Sequence, residues 1–492
     1  MKTEYFDVLI VGAGISGIGA AYHLQEQCPN KSYVILEGRE VLGGTWDLFR
    51  YPGIRSDSDM YTLGYGFKPW RDAKDIADGP SILRYVKETA TENGIDQHIR
   101  YGHMVQTATW SSEDAEWTIE ALNKETGETV QIQCNFLQMC SGYYSYKGGY
   151  TPEFEGRDDF AGTIIHPQKW PEDLDYGGKK IVVIGSGATA VTLVPAIADE
   201  AEHVVMLQRS PTYMVSMPDE DKMAGFLRRR LPAKMAHSLI RLRNTAFTGY
   251  FYNKTRRKPE KVKEDLIKGV RAQIEDPDYD IETHFTPRYY PWDQRLCLVP
   301  NGDLFQSINQ GKASVVTDQI DRFTENGILL KSGEELEADI IVTATGLNMV
   351  VLGNIQFVVD GETVDFSQTY TYKGMMYSDV PNMIATFGYI NASWTLRADL
   401  TSEYACRVLN HMDEKEARIC VPRLREEDKN MDERPWIQDF SSGYMQRAMH
   451  LFPKQGDHEP WVNTQNYHRD KRMIRRAKIE DGALIFDTPV LA

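Results

Sequence analysis

Two apolar runs in this chain end in glycine-rich turns, and each is followed by the same sequence of patterns. The first, FDVLIV at 6–11, runs into GAGISG at 12–17. A stretch with helical patterning follows, ISGIGAAYHLQEQ, and then a second apolar run, SYVILE, that ends at Glu37. The second copy opens with KKIVVI, turns at GSGATA (185–190), continues as the helical ATAVTLVPAIADEA and closes with HVVMLQR at Arg209. Short apolar runs bounded by turn residues predict buried strands, so each copy reads as strand, glycine turn, helix, strand. In both, the last charged residue falls about 25 positions after the first glycine, the context that the dinucleotide-binding fingerprint requires.

The turn positions have separate physical tasks. Gly12 and Gly185 permit the tight turn. Gly14 and Gly187 let backbone N–H groups approach a pyrophosphate, and Gly17 and Ala190 keep the helix close to its strand. The helix N-terminus then offers its unpaired donors to the anion. Ser186, Ala188 and Thr189 complete the second turn as cofactor-binding candidates, with Gln208 beside Arg209 at the following strand end. Glu37 is an acceptor and suits a free ribose 2′-hydroxyl. Arg209 with Ser210 suits a 2′-phosphate. One site therefore expects FAD or NAD and the other NADP. A solvated strand-end cation is the plainer reading of Arg209.

A third apolar strand, ADIIVTATGLN at 338–348, and its counterpart FLQMCSGYY at 136–144 mark where the chain crosses between the two units. The expected architecture is α/β, with two Rossmann-like dinucleotide-binding domains, for FAD and NADP, and an inserted helical subdomain. The expected limits are 1–145 and 348–492 for FAD, 146–212 and 292–347 for NADP, and 213–291 for the insertion. That insertion is basic and helical in pattern. Two readings of it stay open: a solvated helical face near the NADP site, or a peripheral contact with an anionic membrane.

Composition narrows the field. The 492 residues suffice for two or three domains, and 41% hydrophobic with 26% charged residues is ordinary for globular chains. A net charge of −16 argues against a nucleic-acid partner held by phosphate contacts. Six scattered cysteines form no C-x-x-C pair, so neither a redox dithiol, a metal site nor a disulfide framework is expected. The N-terminal apolar run is short and ends in a glycine turn, and no run of about 18 apolar residues occurs. The expected location is cytoplasmic, with no transmembrane segment.

Two further motifs make the reading specific. FAGTIIHPQKWP matches F-x-G-x-x-x-H-x-x-x-W followed by Pro, at Phe160, Gly162, His166, Trp170 and Pro171. GGTWDLFRYPGIRSD supplies Gly43, Gly44, Trp46, Tyr51, Pro52, Gly53 and Asp57. In these the chain resembles the type I Baeyer–Villiger monooxygenases, class B flavoprotein monooxygenases, and among them the mycobacterial ethionamide-activating subgroup. The likeness runs through nearly the whole chain, including YPWDQRLCLVPNGDLF and NASWTLRADL.

The resemblance implies an enzyme in which NADPH reduces FAD, and O2 then forms a C4a-peroxyflavin that attacks a ketone to give an ester or lactone. Sulfides or thioamides are side substrates. A peroxide anion must be kept charged and dry, which calls for a fixed cation that does not surrender its proton. Arg295 matches the family's catalytic arginine, with Asp57 as its partner; without the resemblance Arg295 reads as a surface ion-pair residue. Ser16, Gly44, Thr45, Trp46 and Asp47 are expected along the FAD, Val105 near its adenine, and Arg55 and Ser56 towards the nicotinamide. Asn391 and Trp394 are implied in the substrate pocket, although Trp394 also reads as an ordinary core aromatic. Gln294 stands where many relatives carry Lys, so preference for NADPH rests more on Arg209 and Ser210.

Three rivals differ by identifiable features. A flavin-containing N- or S-monooxygenase remains the alternative; Trp170 and the GGTW…YPG…D block count against it. A disulfide reductase lacks its C-x-x-C, and a non-enzymatic FAD sensor has no use for a second dinucleotide turn. The stretch FAGTIIHPQKWP, lying between the crossing strand and the second turn, is expected to be a hinge or linker in which His166 and Trp170 couple motion.

Overall fold

The computed structural model describes residues 4–438 and 440–488. The outer limits expected for the FAD-binding unit, residues 1 and 492, lie outside the described residues. Strand Glu4–Val11 lies between two parallel neighbours, Tyr33–Leu36 and Thr129–Met139. Val8, Leu9 and Ile10 have no exposed surface. Side chains alternate across the sheet, so Val8 and Ile10 pack with the helix Ile15–Gln27 while Leu9 and Val11 join the opposite cluster. Beyond Thr129–Met139 the sheet continues as an antiparallel meander through Glu116–Asn123 and His103–Ser111. Met383–Ala385 returns the late part of the chain to the same sheet, parallel to Thr129–Met139.

The second turn belongs to a five-stranded, wholly parallel sheet. Its order is Ala313–Thr317, His203–Gln208, Lys180–Ile184, Ile340–Thr343 and Thr163–Ile165. Parallel strands covered on both faces read as continuous apolar runs, which is why KIVVI and IIVT were visible in the sequence.

Two chain crossings join the sheets, and they run antiparallel to each other. The Val350 N–H donates to the Tyr143 carbonyl (3.0 Å), Ser145 N–H to Asn348 (2.8 Å) and Tyr150 N–H to Gly346 (2.9 Å). Phe49 and Tyr51, from the segment after the first turn, are buried in the core of the second sheet.

The segment 213–291 is not wholly helical. Met214–Met217 forms a short parallel strand with Cys297–Pro300, anchored by the buried Met214 beside a wholly buried CLVP strand. Helices Lys222–Arg230, Ala233–Arg257, Pro259–Arg271 and Ile281–Phe285 follow. The longest buries Ala236 and Ile240 in the first unit's core, whereas Val270 of the next helix packs in the second. No helix among the described residues is long and apolar enough to cross a membrane.

Candidate active site

Both glycine turns open on one cavity of about 1420 Å³, larger than the roughly 300–1,000 Å³ of an ordinary small-molecule pocket. Gly12 has φ +102°, and a Cβ there would lie 2.6 Å from the Cys140 carbonyl oxygen. At Gly17 a Cβ would lie 1.9 Å from the Gly12 oxygen, so the helix sits directly on the turn. Gly14 caps the helix without any side-chain bond, leaving its first N–H groups towards the cavity. Glu37, 3% exposed, accepts the N–H groups of Ala13 (2.8 Å) and Arg39 (2.9 Å) and lines the same wall as Val105. Burial raises the Glu37 carboxyl above its usual range, against the pull of these two bonds.

The second turn repeats the geometry. Gly185 has φ +137°, and Gly187, whose added Cβ would meet nothing within 4 Å, leads into Ala188–Ile197 without a side-chain cap. Ser186 donates to the Ser210 carbonyl (3.0 Å) and meets Thr212 Oγ1 (3.0 Å). Ser186, Ala188, Thr189, Arg209 and Ser210 line the cavity, and Arg209 is exposed. Ala190 is buried against the sheet, and Gln208 turns inward to the His284 carbonyl (2.8 Å) and Thr317 (2.9 Å). Neither of these two lines the cavity.

Asp57 and Arg295 meet between the two turns, with Arg295 Nε 3.3 Å from Asp57 Oδ2. Arg295 sits deep in the protein, yet 41% of its side-chain surface is accessible because it fronts the cavity. Burial alone would weaken its charge. The Asp57 carboxylate overcomes this and holds the guanidinium above its ordinary value, with the phenols of Tyr444, Tyr143 and Tyr144 also nearby. The Tyr143 and Tyr144 hydroxyls bond to each other, and burial first, then their mutual contact, holds the Tyr143 phenol protonated. Arg55 also lines the cavity, with its guanidinium paired to Asp303, and Ser56 Oγ accepts the Ser58 N–H (2.9 Å).

Gly44, Thr45 and Trp46 form part of the cavity wall. Asp47 does not: its carboxylate is buried and held by Arg39 (2.6 Å) and Arg50 (3.5 Å), a better partner set than a flavin offers an anion. Trp394 lines the cavity, donates Nε1–H to Ser16 Oγ (2.8 Å) and stacks on Tyr143 at 5.0 Å. Asn391, expected in the substrate pocket, is not among the residues lining the cavity. Its amide donates to the Gln465 carbonyl (3.0 Å), away from the cavity, whose wall is completed by the neighbouring Ala392.

The fingerprint stretch is also placed differently from its expected role as a linker. Thr163–Ile165 is the edge strand of the second sheet, and Phe160 packs edge-on against Phe323. Gly162 passes so close to Phe160 and Asp339 that a Cβ would lie 2.3 Å from the Asp339 oxygen. Trp170 meets Tyr176 edge-on at the rim of the other cluster of this sheet, the one that holds Phe49 and Tyr51. His166 instead bolts the true crossings, through its Nε2 to the Gly346 carbonyl (3.0 Å), while Gln168 Nε2 donates to the Ser145 carbonyl (2.6 Å).

Sequence reasoning missed Tyr143, Tyr144, Tyr444 and Arg447 as cavity residues. The first two carried a signal, a tyrosine pair directly after a crossing strand. The last two lie in SGYMQR, which carries no motif. All six cysteines are unpaired and buried. Among the described residues no cluster of three or more His, Cys, Asp or Glu is arranged to hold a metal ion.

Two dinucleotide turns on one cavity, with a guanidinium–carboxylate pair between them, define a nucleotide-dependent oxidoreductase. Comparison with known proteins gives the class. The model of the flavin-binding monooxygenase-like family matches residues 72–418, and that of an NAD(P)-binding Rossmann-like domain matches 10–84. The FAD-containing monooxygenase EthA of Mycobacterium tuberculosis H37Rv is 55% identical over 485 residues, covering 98% of each chain. EthA of Mycolicibacterium smegmatis is 56% identical, covering 98% of this chain and 97% of the relative. Among solved structures, an oxidized steroid monooxygenase bound to NADP superposes with TM-score 0.77 at 22% identity, over 98% of this chain and 100% of the other. An open cyclohexanone monooxygenase gives 0.74 at 20% identity, over 99% and 100%. This chain belongs to the flavin-binding monooxygenase-like family, and it is a flavoprotein monooxygenase of α/β fold.

Proposed function

We propose that this chain is a Baeyer–Villiger monooxygenase that uses FAD, NADPH and O2 to convert ketones into esters or lactones, with side activity on sulfides or thioamides. The observation that carries the reading is the Arg295–Asp57 pair on a cavity shared by two dinucleotide turns. The residues present fit both cofactors: two uncapped helix starts, a backbone edge left open at Gly187, an acidic strand end at Glu37 and a basic one at Arg209. Bound FAD and NADPH supply hydride transfer and the activation of O2.

The protein's own groups do the rest. Residues of 1–145 and 348–492 hold FAD through the first turn and Glu37. Residues of 146–212 and 292–347 hold NADPH through the second turn, Arg209 and Ser210. Arg295 keeps a permanent positive charge at the inner cavity, where negative charge develops on oxygen, and it cannot neutralise that charge by giving up a proton. Asp57 fixes the direction of the guanidinium. Tyr143 and Trp394, stacked on each other, supply an apolar wall that limits water.

The test is product analysis with purified holoenzyme, NADPH and O2 over linear ketones, cyclic ketones and sulfides. Ester or lactone formation is expected. Oxidised sulfide with no ester from any ketone would assign the chain to the N- or S-monooxygenases instead.

A further inference from the structure

The whole chain is strongly acidic, yet residues 222–258 hold eleven Lys and Arg and no Asp or Glu. They form helices Lys222–Arg230 and Ala233–Arg257. Part of this charge is used internally. Arg241 pairs with Asp399 (3.1 Å), Arg243 with Asp221, Lys254 with Asp265 (3.4 Å) and Arg256 with Asp293 (2.7 Å). Arg228 donates to the Asp72 carbonyl. Lys222, Arg229, Arg230, Lys234, Arg257 and Lys258 are exposed and form no ion pair among the described residues.

The same helices carry the densest group of exposed large apolar side chains among the described residues. Met235, Leu239, Leu242 and Tyr250 are 45–65% exposed, and Ala246 is exposed between them. Their spacing of 4, 3, 4 and 4 residues places them on one face at the helical period. The opposite face is committed: Ala236, His237 and Ile240 are buried. On the preceding helix Met223 and Phe226 are exposed as well, with Arg230 over the Phe226 ring at 5.2 Å. At 1.5 Å per residue the stripe from Met235 to Tyr250 runs for about 22 Å along the helix Ala233–Arg257. Single exposed apolar residues are ordinary, whereas an aligned stripe flanked by cations has the pattern of interaction surfaces.

We propose that this outer face seats on an anionic lipid surface and holds the enzyme to it peripherally. Interfacial helices sink apolar side chains to the acyl boundary and meet headgroup phosphates with Lys and Arg, the two components found here. A second copy fits less well, since a twofold contact would set each unpaired cation cluster against its like. The inference is independent of the reaction proposed above.

The test is flotation of the full-length holoenzyme with vesicles of phosphatidylcholine alone or with added phosphatidylglycerol. Binding is expected only with phosphatidylglycerol, and salt should release it. R229S/R230S should lower partitioning about fivefold for each cation removed, and L239S/L242S about tenfold or more. Flavin absorbance and NADPH oxidation, which neither variant should change, report separately on folding. Three results would overturn the proposal: no wild-type binding to either vesicle, variants that bind as wild type does, or a dimer that L239S/L242S abolishes while vesicles leave the protein in solution.

Discussion

His166→Ala perturbs the contact between the two chain crossings without touching either glycine turn. The ring is held in one tautomer. Nε2–H donates to the Gly346 carbonyl at 3.0 Å, and Nδ1 accepts the Gln168 N–H at 3.2 Å. The ring also fills the space over Gly149, where a Cβ would lie 1.9 Å from its Cε1. Alanine removes two hydrogen bonds worth about 1 kcal/mol each. It also removes the contacts of a half-buried ring, so the clamp loses about 2–3 kcal/mol. That corresponds to a shift of roughly 30- to 150-fold in how often the crossings are held together. FAD content should stay near wild type, product turnover should fall about tenfold or more, and a larger share of consumed NADPH should end as hydrogen peroxide. Parallel assays of NADPH oxidation, peroxide and ester measure the three quantities. Wild-type coupling and rate in the variant would refute the clamp, and loss of FAD with soluble protein would reassign His166 to folding. The clamp also has a pH signature. Burial lowers the His166 pKa from 6.5, only partly offset by the Gly346 bond, and a proton on Nδ1 would oppose the Gln168 N–H. A depressed folded pKa means the clamp is intact above about 6.5 and lost as pH falls through the folded value. Coupling in the wild type should therefore decline on acidification while the variant stays flat.

Arg295→Ala should still let NADPH bleach the flavin but form no ester; retained ester on chromatography would remove Arg295 from the chemistry. Arg209→Ala should raise KM for NADPH about tenfold or more, the scale of a lost charge-assisted hydrogen bond, and leave NADH steady-state kinetics nearly unchanged; equal losses for both would mean that Arg209 does not read the 2′-phosphate. Asp75, 5% exposed, is pushed up to about 7 by burial and then by the neighbouring Asp59 carboxylate. Its folded pKa lies above the unfolded 3.8, so its ionisation costs stability increasingly as pH rises towards 7 and fully above it. Asp75→Asn should accordingly raise Tm at about pH 8, with the advantage shrinking steadily as the pH falls below about 7 and vanishing near the unfolded 3.8; an advantage independent of pH in thermal melts would contradict this account.

The sequence by itself determined the two strand–turn–helix–strand units, their acidic and basic strand ends and the strands that carry the chain between them. Each of these is contiguous, and its constraints are local: a glycine at positive φ, an apolar run covered on both faces, an uncapped helix start. The pairing of Asp57 with Arg295 was legible only through family resemblance, because nothing in the composition or spacing of either segment points to the other. Tertiary packing alone decided what surrounds that pair. Tyr444 reaches Arg295 from a segment with no motif, and Ala392 faces the cavity where Asn391 was expected because the Asn391 amide finds the Gln465 carbonyl. Asp47 likewise turns from the cavity to two arginines. The fingerprint FAGTIIHPQKWP shows the division within one stretch. Its residues were recognisable, but its work, an edge strand whose last turn bolts two distant crossings, depends on carbonyls at Ser145 and Gly346. A polar side chain takes whichever partner packing brings within about 3 Å, and for residues far apart in the chain only the folded backbone sets that distance.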